Sequence, residues 1–243
     1  MDIFNEAFAA LLADFDKDAA KVDAKDMRHA ADRGSIAADK VKVKGFGYTF
    51  TDTDEEFVKT EETPTVTDFE GKTNILRIND VIGKCGFARA LVFTRRFARR
   101  LHQRFDGIVF ETALSVKEDG YFLTFARWRA YEGHFYGDEK AVTAMSYPFG
   151  AVLGCVKLKI TQSDDCLKIL AFDEEGNPYN VPENIFPANT RGELVTISPE
   201  ESPSGRFEAK YSYACCGDIG REVMAEEYPE IVRFAENSGY VVQ

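Results

Sequence analysis

Between Val81 and Phe105 stand seven cationic side chains, Lys84, Arg89, Arg95, Arg96, Arg99, Arg100 and Arg104, and no Asp or Glu. Guanidinium and ammonium groups at that density do one kind of chemistry unaided: they neutralise phosphates or carboxylates. The chain carries a formal charge of −11, so setting those seven aside leaves −18 on the rest. A basic block in an acidic chain points to an acidic partner or to a charge seam closed within the fold.

Arg127 and Arg129 are the next candidates. In a strand over 120–131 they share one face with Tyr121, Leu123, Phe125 and Tyr131, and a hairpin folded at KEDG sets them across from Phe110 and Ile108. Aromatic and Arg side chains interleaved on a sheet can stack bases or hold an anion; set at the rim of a sheet, they can equally bury their stems and keep their heads in water. The vicinal Cys215 and Cys216 sit where a strand gives way to a helix, a place that lowers a thiol pKa and suits a nucleophile. A cysteine-dependent enzyme would also need a base, and His29, His102 and His134 are the available imidazoles. No phosphate-binding Gly-rich loop, nucleophile elbow or HExxH stands in the chain, and three His without clustered ligands predict no metal site and no cofactor.

The elements that must position these groups can be read from periodicity. Phe4, Phe8, Leu11 and Phe15 recur at helical spacing, and 16–33 continues as a solvated helix or a mobile arm. KVKVKGFGYTF (40–50) and TNILRIN (73–79) alternate as strands that could pair in a long hairpin, with acidic, turn-prone residues from 51 onward between them. Asn79 or Asp80 is placed to cap a helix that is firm from Phe87 to Phe105 and stops at Asp106-Gly107. On that helix Phe87, Ala90, Leu91, Thr94, Phe97, Ala98, Leu101 and Phe105 form the buried stripe. The cations, with Val92 and Phe93, fall on the other side. Further hairpins are expected at 107–116/120–131, 151–161/166–173 and 193–199/205–216, and a closing helix at 218–237 interrupted by Pro229. The expected fold is α+β: antiparallel hairpins in one or two sheets, packed by the central basic helix, with helices at both ends. Residues 1–38 are expected as a helical arm and 39–243 as one domain. Twenty Phe against one Trp and four Met predict a core built on Phe.

VIGKCG (81–86) resembles the VIGKxG turn of KH domains, whose GxxG loop clamps a nucleic-acid backbone. The helix and two strands that follow also fit a KH-type order. The match covers six residues and departs from the pattern twice. Only Asp80 to Ile82 lie between the preceding strand and the GxxG, and Arg89 stands where an aliphatic residue is usual.

No apolar run reaches the roughly 20 residues that cross a bilayer. Asp2 and Glu6 occupy positions where a secretory signal needs positive charge, so a cytoplasmic or intracellular, non-secreted protein is expected. Five Cys without a CxxC pair suit a reducing compartment. Taken together, the residues point to a non-enzymatic binding or assembly protein whose basic helix meets an acidic protein surface or a second copy of itself, and not a membrane. Nucleic acid, held by the same helix with Arg127 and Arg129, is the alternative partner.

Overall fold

The computed structural model describes residues 2–105, 108–129, 132–153, 157–162, 166–172, 176, 178–179, 181, 192–197, 201, 208–213, 228–236 and 240–243. Its chain divides into two compact units, Met1–Phe105 with Phe110–Leu153, and Asp106–Val109 with Gly154–Gln243. The architecture is α+β.

In the first unit a five-stranded antiparallel sheet runs in the order β1 (Asp2–Phe4), β7 (Phe149–Leu153), β5 (Phe110–Lys117), β6 (Gly120–Arg127), β4 (Ile75–Arg77). The β5–β6 hairpin turns at Glu118-Asp119 and pairs Arg127 with Phe110, the register read from the sequence. Helix α6 (Phe87–Arg104) packs its apolar stripe on one face of this sheet. Phe97, Phe110 and Phe125 are fully buried there, with Phe125 5.3 Å ring to ring from Phe97 and from Phe50. Edge-on aromatic contacts of this kind add to plain area burial, and the core is indeed built on Phe.

Several expectations change. KVKVKGFGYTF is not one strand but a complete hairpin, β2 (Val41–Lys44) and β3 (Gly47–Phe50), turning at Gly45-Phe46 with Gly45 at φ 59°. It does not pair with 73–79. Between them lies an unexpected helix, α4 (Val66–Thr73), whose N-cap Thr65 hydroxyl accepts from Asp68 N at 3.1 Å, and β4 pairs with β6 instead. The helix expected to start at Asn79 is split into α5 (Ile78–Ile82) and α6. The break falls at Gly83, whose φ of 73° suits a residue without Cβ. Asn79 caps neither helix; its Oδ1 accepts from Tyr121 N at 2.9 Å.

The stretch 16–33, read as a solvated helix or a mobile arm, falls on α2 (Phe15–Ala19) and the first part of α3 (Ala24–Asp39), which follow α1 (Glu6–Ala13). Helix α3 packs along α6 through Ala30, Gly34, Ala37 and Ala38, all buried. Small residues let two helix backbones approach closely, which covers Phe93 on a flank of α6 that the sequence assigned to the polar side. A Cβ built on Gly34 would lie 2.4 Å from the Phe93 carbonyl oxygen.

The second unit holds a sheet in the order β11 (Gly192–Ile197), β12 (Glu208–Tyr213), β9 (Cys166–Phe172), β8 (Lys157–Gln162), β13 (Val241–Val242), with β10 (Pro178–Tyr179) also on β9. The β8–β9 hairpin expected from the sequence is present, with Lys157 paired to Phe172 and Gln162 to Leu167. β9 buries Leu167, Ile169 and Ala171 on one face, and residues 228–236 are helical with Ile231 and Ala235 buried.

Gly34→Ala should destabilise the first unit. Alanine gains about 0.8–1 kcal/mol of helix propensity, but the contact is with backbone, which cannot swing aside, and overpacking costs roughly 1–3 kcal/mol. A fall in the urea midpoint on Gly34→Ala, and a larger one on Gly34→Val, checks this.

His102, on the buried side of α6, gives a second expectation. Its Nδ1 donates to Ala98 O at 2.9 Å and its Nε2 accepts from Phe110 N at 3.3 Å, and burial lowers its pKa below 6.5. The unfolded chain therefore takes up a proton there that the folded chain refuses, so this group withdraws stability as pH falls below about 6.5. The His102 Cε1 proton resonance should stay flat from about pH 8 to about pH 6, while a free imidazole titrates over that range.

Candidate functional site

The seven cations nominated from the sequence have unequal fates in the fold. At the carboxyl end of α6, Arg100 Nε lies 2.8 Å from Asp39 Oδ1, and Arg104 Nε lies 3.8 Å from the same oxygen. Arg104 also donates to the carbonyls of Ala38 and Val41. These two side chains thus satisfy the negative end of α3, where last-turn carbonyls lack partners of their own. Arg89 reaches back from the first turn of α6 to the carbonyls of Lys84 (3.0 Å) and Ile82 (3.3 Å), tying down the turn between α5 and α6. Arg99 is half-buried and has a partner. Lys84, Arg95 and Arg96 remain: all three are exposed, with no ion pair among the described residues.

The fold therefore divides the basic stretch in two. The last turn is a charge seam with α3, and the middle of the helix, with the preceding turn, keeps its cations in solvent. Helix α2 packs against α6 and brings Asp16 and Asp18 into the first unit beside it. Asp18 is joined to Lys21 at 3.1 Å, and Asp14 to Lys17 at 2.8 Å. The Lys17 ammonium holds the Asp14 carboxyl below its usual pKa.

The GKCG turn is open. A Cβ built on Gly83 or Gly86 would meet nothing within 4 Å, and Lys84, between them in the chain, is exposed. A short helix does precede it, since α5 starts at Ile78, two residues earlier than the sequence pattern allowed. Cys85 is half-buried, accepts from Asn79 Nδ2 at 3.7 Å, and has its thiol pKa pushed up by burial against the opposing pull of Arg89. It is therefore poorly suited to act as a nucleophile.

Arg127 and Arg129 do not form an open anion site. Arg129 is buried and its guanidinium forks onto Glu70, with Nη1 to Oε2 and Nη2 to Oε1 both at 3.0 Å. It also donates to Phe46 O, Arg127 O and Thr67 Oγ1. Glu70, fully buried on α4, accepts in addition from Tyr48 N (2.7 Å) and Arg127 N (2.6 Å). Burial pushes its carboxyl pKa up, opposed by Arg129 and by the two backbone donors. Here an internal carboxylate has taken the place of the external anion. Arg127 is half-buried, with its guanidinium 6.0 Å from the Tyr48 ring centroid.

One cluster was not foreseen. Glu111, fully buried on β5, receives His134 Nδ1 on Oε1 and Phe135 N on Oε2 at 3.4 Å. A carboxylate at Nδ1 fixes the imidazole tautomer. The ring itself lies between Trp128 (4.5 Å, stacked) and Tyr136 (4.9 Å, stacked). Burial and the Glu111 charge both raise the Tyr136 phenol pKa. Two donors converging on one buried carboxylate strap the 134–135 segment to the sheet. The signal in the sequence was an acid inside the otherwise uncharged run GIVFETALSV, but its partner stands 23 positions away.

Opposite in sign to α6 is the segment 51–62, which carries six carboxylates against one lysine. It runs as exposed chain beside α4 around a cleft of about 850 Å³. Asp52, Asp54, Glu55 and Glu56 stand in solvent, Phe57 anchors on Phe69 at 5.8 Å, and Lys72 pairs with Glu62 at 3.4 Å. Cys215 and Cys216, nominated as nucleophiles, lie outside the described residues. Among the described residues no helix is long and apolar enough to cross a membrane.

Glu70→Gln should strip the buried Arg129 of its counter-charge at a cost of roughly 3–5 kcal/mol, whereas Arg95→Ala and Arg96→Ala should each stay within about 0.5 kcal/mol of wild type. Chemical denaturation of the three variants separates the structural arginine from the surface ones.

Comparison of the chain with models of known protein families, with curated proteins and with solved structures finds no match.

Proposed function

We propose that this chain is a non-enzymatic binding and assembly protein whose contact face is the middle of α6 with the turn before it. Lys84, Arg95 and Arg96 engage an acidic protein surface, and the surface they fit is the 51–62 segment of a second copy. What supports the reading is one contrast: in a chain of formal charge −11, these cations are exposed without an internal counter-ion among the described residues, while Arg100 and Arg104 are fully engaged. Glu55 and Glu56 are likewise exposed and without an ion pair among the described residues. Val92, half-buried among the cations, adds apolar area. Because the basic and acidic patches are different parts of one unit, the contact is head-to-tail, and it generates a ring if the rotation closes or a filament if it does not.

Nucleic acid is the second partner to consider, and one observation favours it: the helix–GKCG–helix arrangement with both glycines open and Lys84 between them. Phosphate contacts there predict affinity for a single-stranded oligonucleotide that falls steeply with salt.

Charge reversal decides. The mass of the wild-type protein in light scattering should rise with concentration at low salt and return to 27.3 kDa at about 0.5 M NaCl, where screening is short-ranged. Arg95→Glu/Arg96→Glu and Glu55→Lys/Glu56→Lys should each stay monomeric alone and associate when mixed. A wild-type protein that is monomeric throughout, or a mixture that fails to associate, overturns assembly. Oligonucleotide binding lost on Lys84→Glu and Arg95→Glu/Arg96→Glu would then favour the phosphate partner.

A further inference from the structure

We propose that the first unit carries a binding site for a small amphipathic monoanion, an aliphatic or aromatic body with one carboxylate-type head, in a cleft between α3, the end of β3, β4 and α5. The cleft has a volume of about 350 Å³, at the lower end of the range for small-molecule sites. It is separate from the α6 face and does not depend on it.

Two features make this more than a surface depression. The first is its apolar lining. Ile36 on α3 and Ile75 on β4 are 48% and 51% exposed, and these two line the same cleft with Leu76 and Val81. Large aliphatic side chains left in water lose the stabilisation that burial gives. Two that converge on one cavity form an apolar wall that a ligand can cover.

The second is charge. Arg33, Ile36, Ala37 and Lys40 line the cleft from α3 at spacings of three, four and seven, one stripe of the helix. Arg33 and Lys40 therefore stand about 10 Å apart along the axis with the isoleucine between them. Both are exposed, with no ion pair among the described residues. Asp52 is the one carboxylate of the lining, so the rim has a net positive charge in a strongly acidic protein. An anionic head fits between the two cations, and its apolar body lies along Ile36, Ile75, Leu76 and Val81. A peptide fits less well. β4 is an edge strand, but its three residues offer too short a ladder for strand addition.

Decanoate is a suitable probe because it combines a ten-carbon chain with one carboxylate. Calorimetric titration of the full chain at constant ionic strength should give saturable binding with one site per chain. Ile36→Asp/Ile75→Asp, at exposed positions where the fold tolerates polarity, should weaken it at least about tenfold. Arg33→Ala/Lys40→Ala should do the same, and decylamine should not compete. Val43→Asp, an exposed aliphatic away from the cleft, should leave binding unchanged. No saturable binding below about 1 mM, or binding unaltered by Ile36→Asp/Ile75→Asp, overturns the site. Decanol binding as tightly as decanoate overturns the anionic head.

Discussion

The contact between α3 and α6 governs most of what the first unit can offer to a partner. With Gly34 against the Phe93 carbonyl, the two helices lie close enough for Arg100 and Arg104 to reach Asp39 and the last carbonyls of α3. A bulkier residue at 34 would hold the helices apart and release those arginines to solvent. The same closeness buries Phe93 and narrows the free surface of α6 to its middle. A local packing requirement thus decides which charges are structural and which are available.

Glu70 plays a comparable part at the other end of the sheet. A carboxylate taken out of water is costly unless several donors converge on it. Here they come from Tyr48 on β3, Arg127 at the end of β6, and Arg129 beyond it. The Arg129 guanidinium extends the network to the Phe46 carbonyl at the tip of the β2–β3 hairpin. One buried ion pair therefore joins a helix, a hairpin and the end of an inner sheet strand. Glu111 does the same for the segment carrying His134 and Tyr136.

Features written in local periodicity were legible in the sequence. The bounds of α6, its Phe stripe, the β5–β6 register and the reliance of the core on Phe all follow from spacing and turn residues. What was illegible depended on distant partners. Nothing near Arg100 announces Asp39, 61 positions earlier, and nothing near Arg129 announces Glu70, 59 positions earlier. Helix α4 was missed because VTDFEGKT is short, contains Gly71, and takes its Thr65 cap from a run that reads as loop. The candidate surface was therefore visible as a charge pattern, while its true extent was set by tertiary pairing.

The stacking of Trp128 on His134 has an optical consequence. Trp128 is the one indole of the chain, and it belongs to the first unit. Its emission therefore reports on that unit and is sensitive to the imidazole against its face. Far-ultraviolet dichroism records helices and strands of both units together. If the two signals lose their native values at different denaturant concentrations, the units melt as separate cooperative bodies, and no single unfolding free energy describes the whole molecule.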